Sequence, residues 1–538
     1  MENQPVDLAK NVVGELYEKY SDDLYIFSKM HNYICSKLPG IIEEMKRTDA
    51  ERRERNDILT AEQDMFIQSF LGKHQYFYCP QTERFFYYDG VHYKTLKEDD
   101  VLHHVLTTIT KDRAILMPRK PQTKVYVMKR VKETHPLDSI PESETIQSVL
   151  DAICPAIFQT KPAAKYFLTI VGDHLLKKTD ETTHAYFAPS TKAKEFLKEL
   201  GTMGSIYFGV PATSLFKHKY HSHSYKTIRL LKISDAVMAW KSLIGNHLLD
   251  LFCVAAHYSH RYSCADNYLE QHSDDADLIR YTMYFRGKNA SDIFSDFSKE
   301  CLIFSKDECQ TSAPTMEYLW RKYLKEKQYP AILSPQSFLS TSKDMLADHY
   351  DKTRNMFVGI TSPSIQSVEK FQRFWVECVS VSTDKAPLLE YEIGELSTLY
   401  REAMGDKRMN ESQLMDLVQF YHPEISVLDR KYVQGIDCKL WNKPVELREF
   451  FATIADSSQI SFYDAYTIYL NQKKDGGSNR IISKSYFEKY ICSEMGDRVD
   501  GCMIFADEQH KGFMENDLIE ELATNESESI DSLSMPVS

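Results

Sequence analysis

Glycine is scarce in this chain, 19 of 538 residues, about half the usual share of roughly 7%. Chemistries that rest on several glycine-rich phosphate loops lose weight accordingly, because such loops need backbone that can approach a nucleotide closely. Long apolar runs are missing too. No stretch reaches the roughly 18 to 20 consecutive apolar residues of a membrane span, so no membrane partner is expected. The eleven cysteines include no CxxC pair, and an odd, scattered set reads as free thiols in a reducing, intracellular compartment. The opening "MENQPVDLAKNVVGEL" lacks the basic and apolar regions of a signal peptide, in line with that reading. Net positive charge is also lacking. A formal charge of −13 excludes a protein that coats nucleic acid everywhere and leaves room only for a local basic face.

What is present describes a helix-rich, multidomain α+β protein with 43% hydrophobic and 12% aromatic residues. Helical spacing dominates residues 1–70. "HQYFYCPQTERFFYYDGVHYKTL" (74–96) then gives aromatic strands, with Asp89-Gly90 as a hairpin turn, so a small aromatic β-meander with an adjoining basic segment is expected over 71–135. Residues 136–384 read as a mainly helical central domain. Within it Pro141 and Glu144 mark one helix start, and Ser190 opens another that is expected to stop at Gly201. Residues 385–500 give helices, a strand pair and a capping box at Ser461 and Asp464, an order compatible with a winged-helix-like domain. Residues 501–538 form an acidic tail expected to be disordered. No internal repeat is legible.

Candidate chemistry is sparse. "GSIYFGVPA" (204–212) spaces two glycines as a P-loop does, but Val210 and Pro211 stand where the Lys and Ser/Thr belong, and proline removes an N–H donor. The stretch is read instead as a short strand or buried connection, with Gly201 and Gly204 closing the helix before it. Cys253, His257, His260 and Cys264 lie at i, i+4, i+7 and i+11. On one helix that is a stripe about 16 Å long, which cannot close around a single ion, so no metal site is expected there. No cofactor is expected. No nucleophile elbow or HExxH motif is present, and no catalytic residue is nominated.

Basic residues carry the stronger signal. Residues 111–132 hold eight Lys or Arg against Asp112. Arg119, Lys120, Lys124, Lys129, Arg130 and Lys132 sit with Tyr126 beside the aromatic strands, a pattern suited to phosphate neutralisation with stacking. The alternative is an exposed basic strand or linker. Lys217, Lys219 and Lys226 around His218, His221 and His223 form a second candidate phosphate-facing cluster, since cationic surroundings oppose a metal.

"RFFYYDGVHYK", "IPESETIQSVLDAICPAIFQTKPAAKYFLTIVGDHLLKK", "FWVECV" and the 388–495 block resemble proteins of nucleocytoplasmic large DNA viruses, and their arrangement is similar to the non-ATPase parts of the poxvirus-type primase-helicase family (superfamily 3). His92 and Tyr93 stand where that family has an aromatic Trp. Its P-loop, acidic metal-binding strand and arginine finger find no match, so no catalytic residue carries over. The resemblance implies a DNA-replication protein of an infected cell, in the host cytoplasm, viral factory or nucleus, that binds nucleic acid, DNA rather than RNA, or a viral replication protein. Two alternatives stand beside it. One is a divergent active helicase, which would use ATP and magnesium; the other is a non-enzymatic virion or host-interaction protein.

Overall fold

The fold is that of a computed structural model, which describes residues 4–178, 184–234, 237–305, 309–382, 389–454, 459–477, 479–494, 499–500 and 503–505. Apart from Met503–Phe505, the acidic tail expected over 501–538 lies outside the described residues. The chain is helix-rich with small separate sheets, an α+β arrangement. No described helix is long and apolar enough to cross a membrane. The described cysteines are free thiols. Two compact units emerge, residues 1–289 with 327–332, and residues 290–326 with 333–538. Their division falls inside the span 136–384 that reads as one region in the sequence.

The first unit begins with α1 (Gln4–Lys19), α2 (Leu24–Asn32) and α3 (Leu38–Lys73). Of α3 only Gln63, Phe66 and Phe70 are buried, all near its end. Three antiparallel strands follow in sequential order, β1 (Gln75–Cys79), β2 (Arg84–Tyr88) and β3 (Tyr93–Leu96). Tyr88 pairs with Gln75 on one side and with Tyr93 on the other. The β2–β3 turn is tied down by Asp89, whose carboxylate accepts the N–H groups of Val91 and His92. α4 (Glu98–Asp112) and α5 (Lys120–Lys132) come next. They share a core with the sheet and α3 that includes Phe66, Tyr76, Phe85, Val105 and Val127.

The rest of the unit is α6 (Ser143–Ile153), α7 (Lys161–Leu175), β4 (Ala185–Phe187), α8 (Thr191–Phe208), β5 (Phe216–Lys217), β6 (Ile228–Leu230), α9 (Val237–Tyr262), α10 (Ala265–Asn267) and α11 (Ala276–Thr282). α7 is buried almost all round, as a helix apolar on every face must be, and it packs along α9. β4 lies between β5 and β6, parallel to both.

The expected strand at "SIYF" is corrected here. Helix α8 does not stop at Gly201 but runs through Gly204 to Phe208, and Gly209, at φ +70°, ends it in the left-handed conformation that closes helices. A Cβ on Gly204 would lie 2.8 Å from the Ala212 Cβ, so the glycine serves close approach of the returning chain, not helix termination.

The second unit repeats one order of elements three times. Its first module runs α12 (Ala290–Cys301), β7 (Ile303–Phe304), β8 (Gln310–Ser312), α13 (Ala313–Lys327), α14 (Pro335–Met345), β9 (Tyr350–Asp351), β10 (Met356–Val358) and β11 (Ile360–Thr361). The second runs α15 (Ile365–Cys378), β12 (Val379–Val381), β13 (Glu390–Glu392), α16 (Ile393–Met404), α17 (Glu411–Tyr421), β14 (Ser426–Leu428), β15 (Tyr432–Gln434) and β16 (Ile436–Cys438). The third has α18 (Lys443–Thr453), β17 (Gln459–Ser461), α19 (Phe462–Asp475), α20 (Lys484–Glu494), β18 (Val499–Asp500) and β19 (Met503–Phe505). In each module the strand before the second helix pairs with the far strand of the terminal hairpin, giving the orders β8-β10-β9, β13-β15-β14 and β17-β19-β18. The additional pairs β7–β11 and β12–β16 match as well.

The recurrence has a physical signature. A polar residue caps each second helix: Ser312 and Ser461 accept the N–H three residues on, and Glu392 forms a reciprocal capping box with Glu395. Eight residues after each cap stands a buried ring, Trp320, Tyr400 or Tyr469. The third helices are capped by Ser334, Asn410 and Ser483, and four residues later each buries a large side chain, Phe338, Leu414 or Phe487.

Candidate nucleic-acid interface

Most of the basic segment, for which an exposed strand or linker is the alternative reading, is helix α5. Thr123, Val127, Met128 and Val131 form its buried stripe, and this stripe fixes which cations remain available. Arg119 is spent inside the unit, donating to Thr60 and Asn56 of α3. Lys120 donates to Thr110. Lys132 pairs with Glu98 at 3.2 Å and lies over the Tyr78 and Phe85 rings. Arg130 reaches Glu133 at 3.4 Å. Lys129 is exposed beside exposed Val125 and Tyr126, and Lys124 is half-buried. The segment therefore offers a narrow basic patch, not six free cations.

The second basic cluster is dispersed. Half-buried Lys217 donates to the Ser214 carbonyl, whereas Lys219 and Lys226 are exposed. His218 bonds the Ala188 carbonyl, and burial lowers the pKa of both His218 and His223. Neutral imidazoles add nothing to a phosphate-facing field.

Cys253, His257, His260 and Cys264 are not brought together. Cys253 is buried against Tyr88 and Tyr93, and burial pushes its thiol well up. His260 approaches Asp138, and the Cys264 sulfur caps α10 by accepting the Asn267 N–H. A different group does converge: His92 from the β2–β3 turn with His247 and Asp250 from α9. Among the described elements, two junctions lead from a parallel strand into a helix, β4 to α8 through Ala188, Pro189 and Ser190, and β6 to α9 over residues 231–236, and neither sequence contains a glycine.

The third helices of the repeated modules differ sharply in what covers them. Helix α17 lies against the second helix of the preceding module. Phe420 and Tyr421 pack on Tyr318, Arg321 sits over the Phe420 ring at 4.9 Å, and Lys325 reaches Asp416. Helix α20 is held to the second module by charge. The Ser483 N–H donates to Glu395 at 2.7 Å, and Lys489 donates to both oxygens of Glu390.

Helix α14 belongs to the first module and carries no such cover. Gln336, Ser337, Ser340 and Met345 are exposed, and Asp344 is its one acid. Beside it in the module, the β9–β10 turn exposes Lys352 and Arg354, the latter with its Nε 3.8 Å from Asp351. Asp351 shapes this turn by accepting the Thr353 hydroxyl and the N–H groups of Thr353 and Arg354, bonds that hold its carboxyl below the usual range. An exposed helix of amide and hydroxyl side chains next to a basic hairpin can read base edges and grip phosphates. None of these residues stands out by charge in the sequence; the readable signal was the Ser334-Pro335 helix start followed by "QSFLSTSK". Compared with protein-family models, curated proteins and solved structures, the chain matches none.

Proposed function

We propose that the chain binds nucleic acid, duplex DNA in particular, through its second unit, read as three winged-helix-like modules in tandem. The first module presents α14 and the β9–β10 hairpin to the duplex; the other two form its rigid extension. The observation that carries this reading is the exposed polar face of α14, the one of three equivalent helices that packs on no preceding module, next to exposed Lys352 and Arg354. In such modules the third helix enters the major groove while flanking cations meet the backbone. The aromatic meander of β1–β3 and the resemblance of its segments to primase-helicases outside their ATPase motifs support a role in viral DNA replication, as a binding component. The glycine-free β4–α8 junction favours this over an active helicase.

The test is binding of a fluorescent duplex across a salt series. Replacing Lys352 and Arg354 with Glu is expected to weaken binding roughly tenfold or more and to flatten the log–log salt slope by about 1.8, the contribution of two phosphate contacts. Unchanged affinity and slope overturn the proposal. So does a loss seen only with Lys129, Arg130 and Lys132 replaced by Glu, which moves the interface to α5.

A further inference from the structure

His92, His247 and Asp250 occupy a corner of the first unit that hydrogen bonding alone does not explain. The β2–β3 turn is fixed from several sides. Asp89 binds the turn amides and Lys94, which together hold its carboxyl well below the usual range, led by Lys94. The Tyr88 hydroxyl donates to the Gly90 carbonyl, and the Thr145 hydroxyl donates to that of Val91. So held, the turn sets His92 Nδ1 2.7 Å from Asp250 Oδ2. Asp250 is almost fully buried, and its other oxygen is fixed by the Tyr93 N–H at 2.7 Å.

His247 is the unexplained member. It lies one helical turn before Asp250, where α9 departs from helical geometry at φ −128°, ψ 16°. Its Nδ1 is buried and without a hydrogen-bond partner, 3.9 Å from Asp250 Oδ2, too far to bond. A buried imidazole nitrogen left unpaired costs free energy, and a helix broken at that same residue marks the place as built for something else.

We propose that these three side chains bind a first-row divalent metal ion, zinc above all, through one atom each. The donor atoms lie within 4.8 Å of one another. An ion with bonds of about 2.0–2.1 Å and tetrahedral angles wants its ligands roughly 3.3–3.5 Å apart, so loading draws His247 in and eases His92 off Asp250. Two imidazoles and a carboxylate, with no thiolate, suit zinc, cobalt or nickel and not calcium or magnesium. Three protein ligands leave a coordination position open, and the His92 side chain, 40% exposed, gives water or a small anion access to it. The ion ties the β2–β3 turn to α9.

The test uses the full chain stripped with chelator and titrated with zinc and, separately, cobalt. Wild type is expected to take up one equivalent, with visible cobalt bands of a nitrogen–oxygen site and a zinc-dependent rise in melting temperature. In His247→Gln that equivalent is weakened by more than the roughly 10–100-fold that loss of an outer-shell partner costs. Because His247 Nδ1 has no partner to lose, the unloaded variant should melt as wild type does. His92→Gln, on the exposed turn, provides the same readout from the other element. Equal zinc uptake by wild type and both variants overturns the proposal, as does a cobalt spectrum dominated by thiolate charge transfer, which would place the ion on cysteine.

Discussion

Helices α14, α17 and α20 hold the same place in three copies of one arrangement, yet α17 and α20 each pack against the module before them and α14 has no preceding module to pack on. α17 is covered chiefly by aromatic rings and α20 by charged groups. The difference teaches that a repeated module does not repeat its surroundings. Contacts with the preceding module occupy part of α17 and part of α20, and the first module has no such predecessor. Charge sets only α17 apart: it carries Glu411 and Asp416 and no Lys or Arg, a poor surface for a polyanion, whereas acids and bases balance in both α14 and α20.

The largest expected effect comes from the charged seam. Lys443 is buried, donates to the Glu390 carbonyl and to Glu395, and lies 3.7 Å from the centre of the Tyr486 ring and 4.0 Å from that of Tyr391. Burial lowers its pKa even against the pull of Glu395. Lys443→Ala leaves Glu395 buried without its cation, and breaking such a pair costs about 3–5 kcal/mol. Urea melts monitored within the second unit should register a loss of that size. A change under about 1 kcal/mol would mean that the seam of α20 is held by its apolar contacts, as that of α17 is.

The aromatic seam ranks next. Tyr318→Ala removes a buried ring that touches both Phe420 and Tyr421, for a cost of about 3 kcal/mol. Lys325→Ala, which breaks the solvent-exposed pair with Asp416 across the same contact, should cost less than about 1 kcal/mol. If the two variants melt alike, the assignment of α17 to an aromatic seam fails. Uncovering α17 in this way should not raise DNA affinity, because the helix then exposed is acidic.

How much of this was legible in the sequence depends on which signal each element left. Asp89-Gly90 marked a turn that the structure keeps, and the Ser461 cap opens α19 as read. In "TKVYVMKRV" the charge run admits a strand or linker, but Thr123, Val127 and Val131 repeat every four residues, and that spacing decides for a helix. At "SIYF" the glycines suggest a helix stop, whereas in the structure Gly201 and Gly204 make room for Thr213 and Ala212 inside one helix. The threefold repeat stayed hidden because its positions recur and its letters do not. Caps alternate among Ser, Glu and Asn, the buried ring among Trp and Tyr, and the intervals between copies are unequal. His92 with His247 and Asp250 could not be paired at all, since a contact between a hairpin turn and a distant helix leaves no periodic trace.

The smallest expected effect on stability is also the sharpest probe of the comparison. Gln336 and Ser340 are exposed on α14, so Gln336→Ala with Ser340→Ala should change the melting behaviour by no more than about 0.5 kcal/mol. If α14 reads base edges, each lost hydrogen bond removes about 0.5–1.5 kcal/mol of binding, roughly a 2–10-fold drop apiece. Neither residue is charged, so the salt slope should stay where it is while affinity falls. Lys352 and Arg354 should show the opposite signature, with the slope moving together with the affinity. A double alanine variant that binds every duplex as wild type does would leave α14 a bystander beside a basic hairpin. A variant that loses affinity for some sequences more than others would make it the reading surface that α17 and α20 have given up.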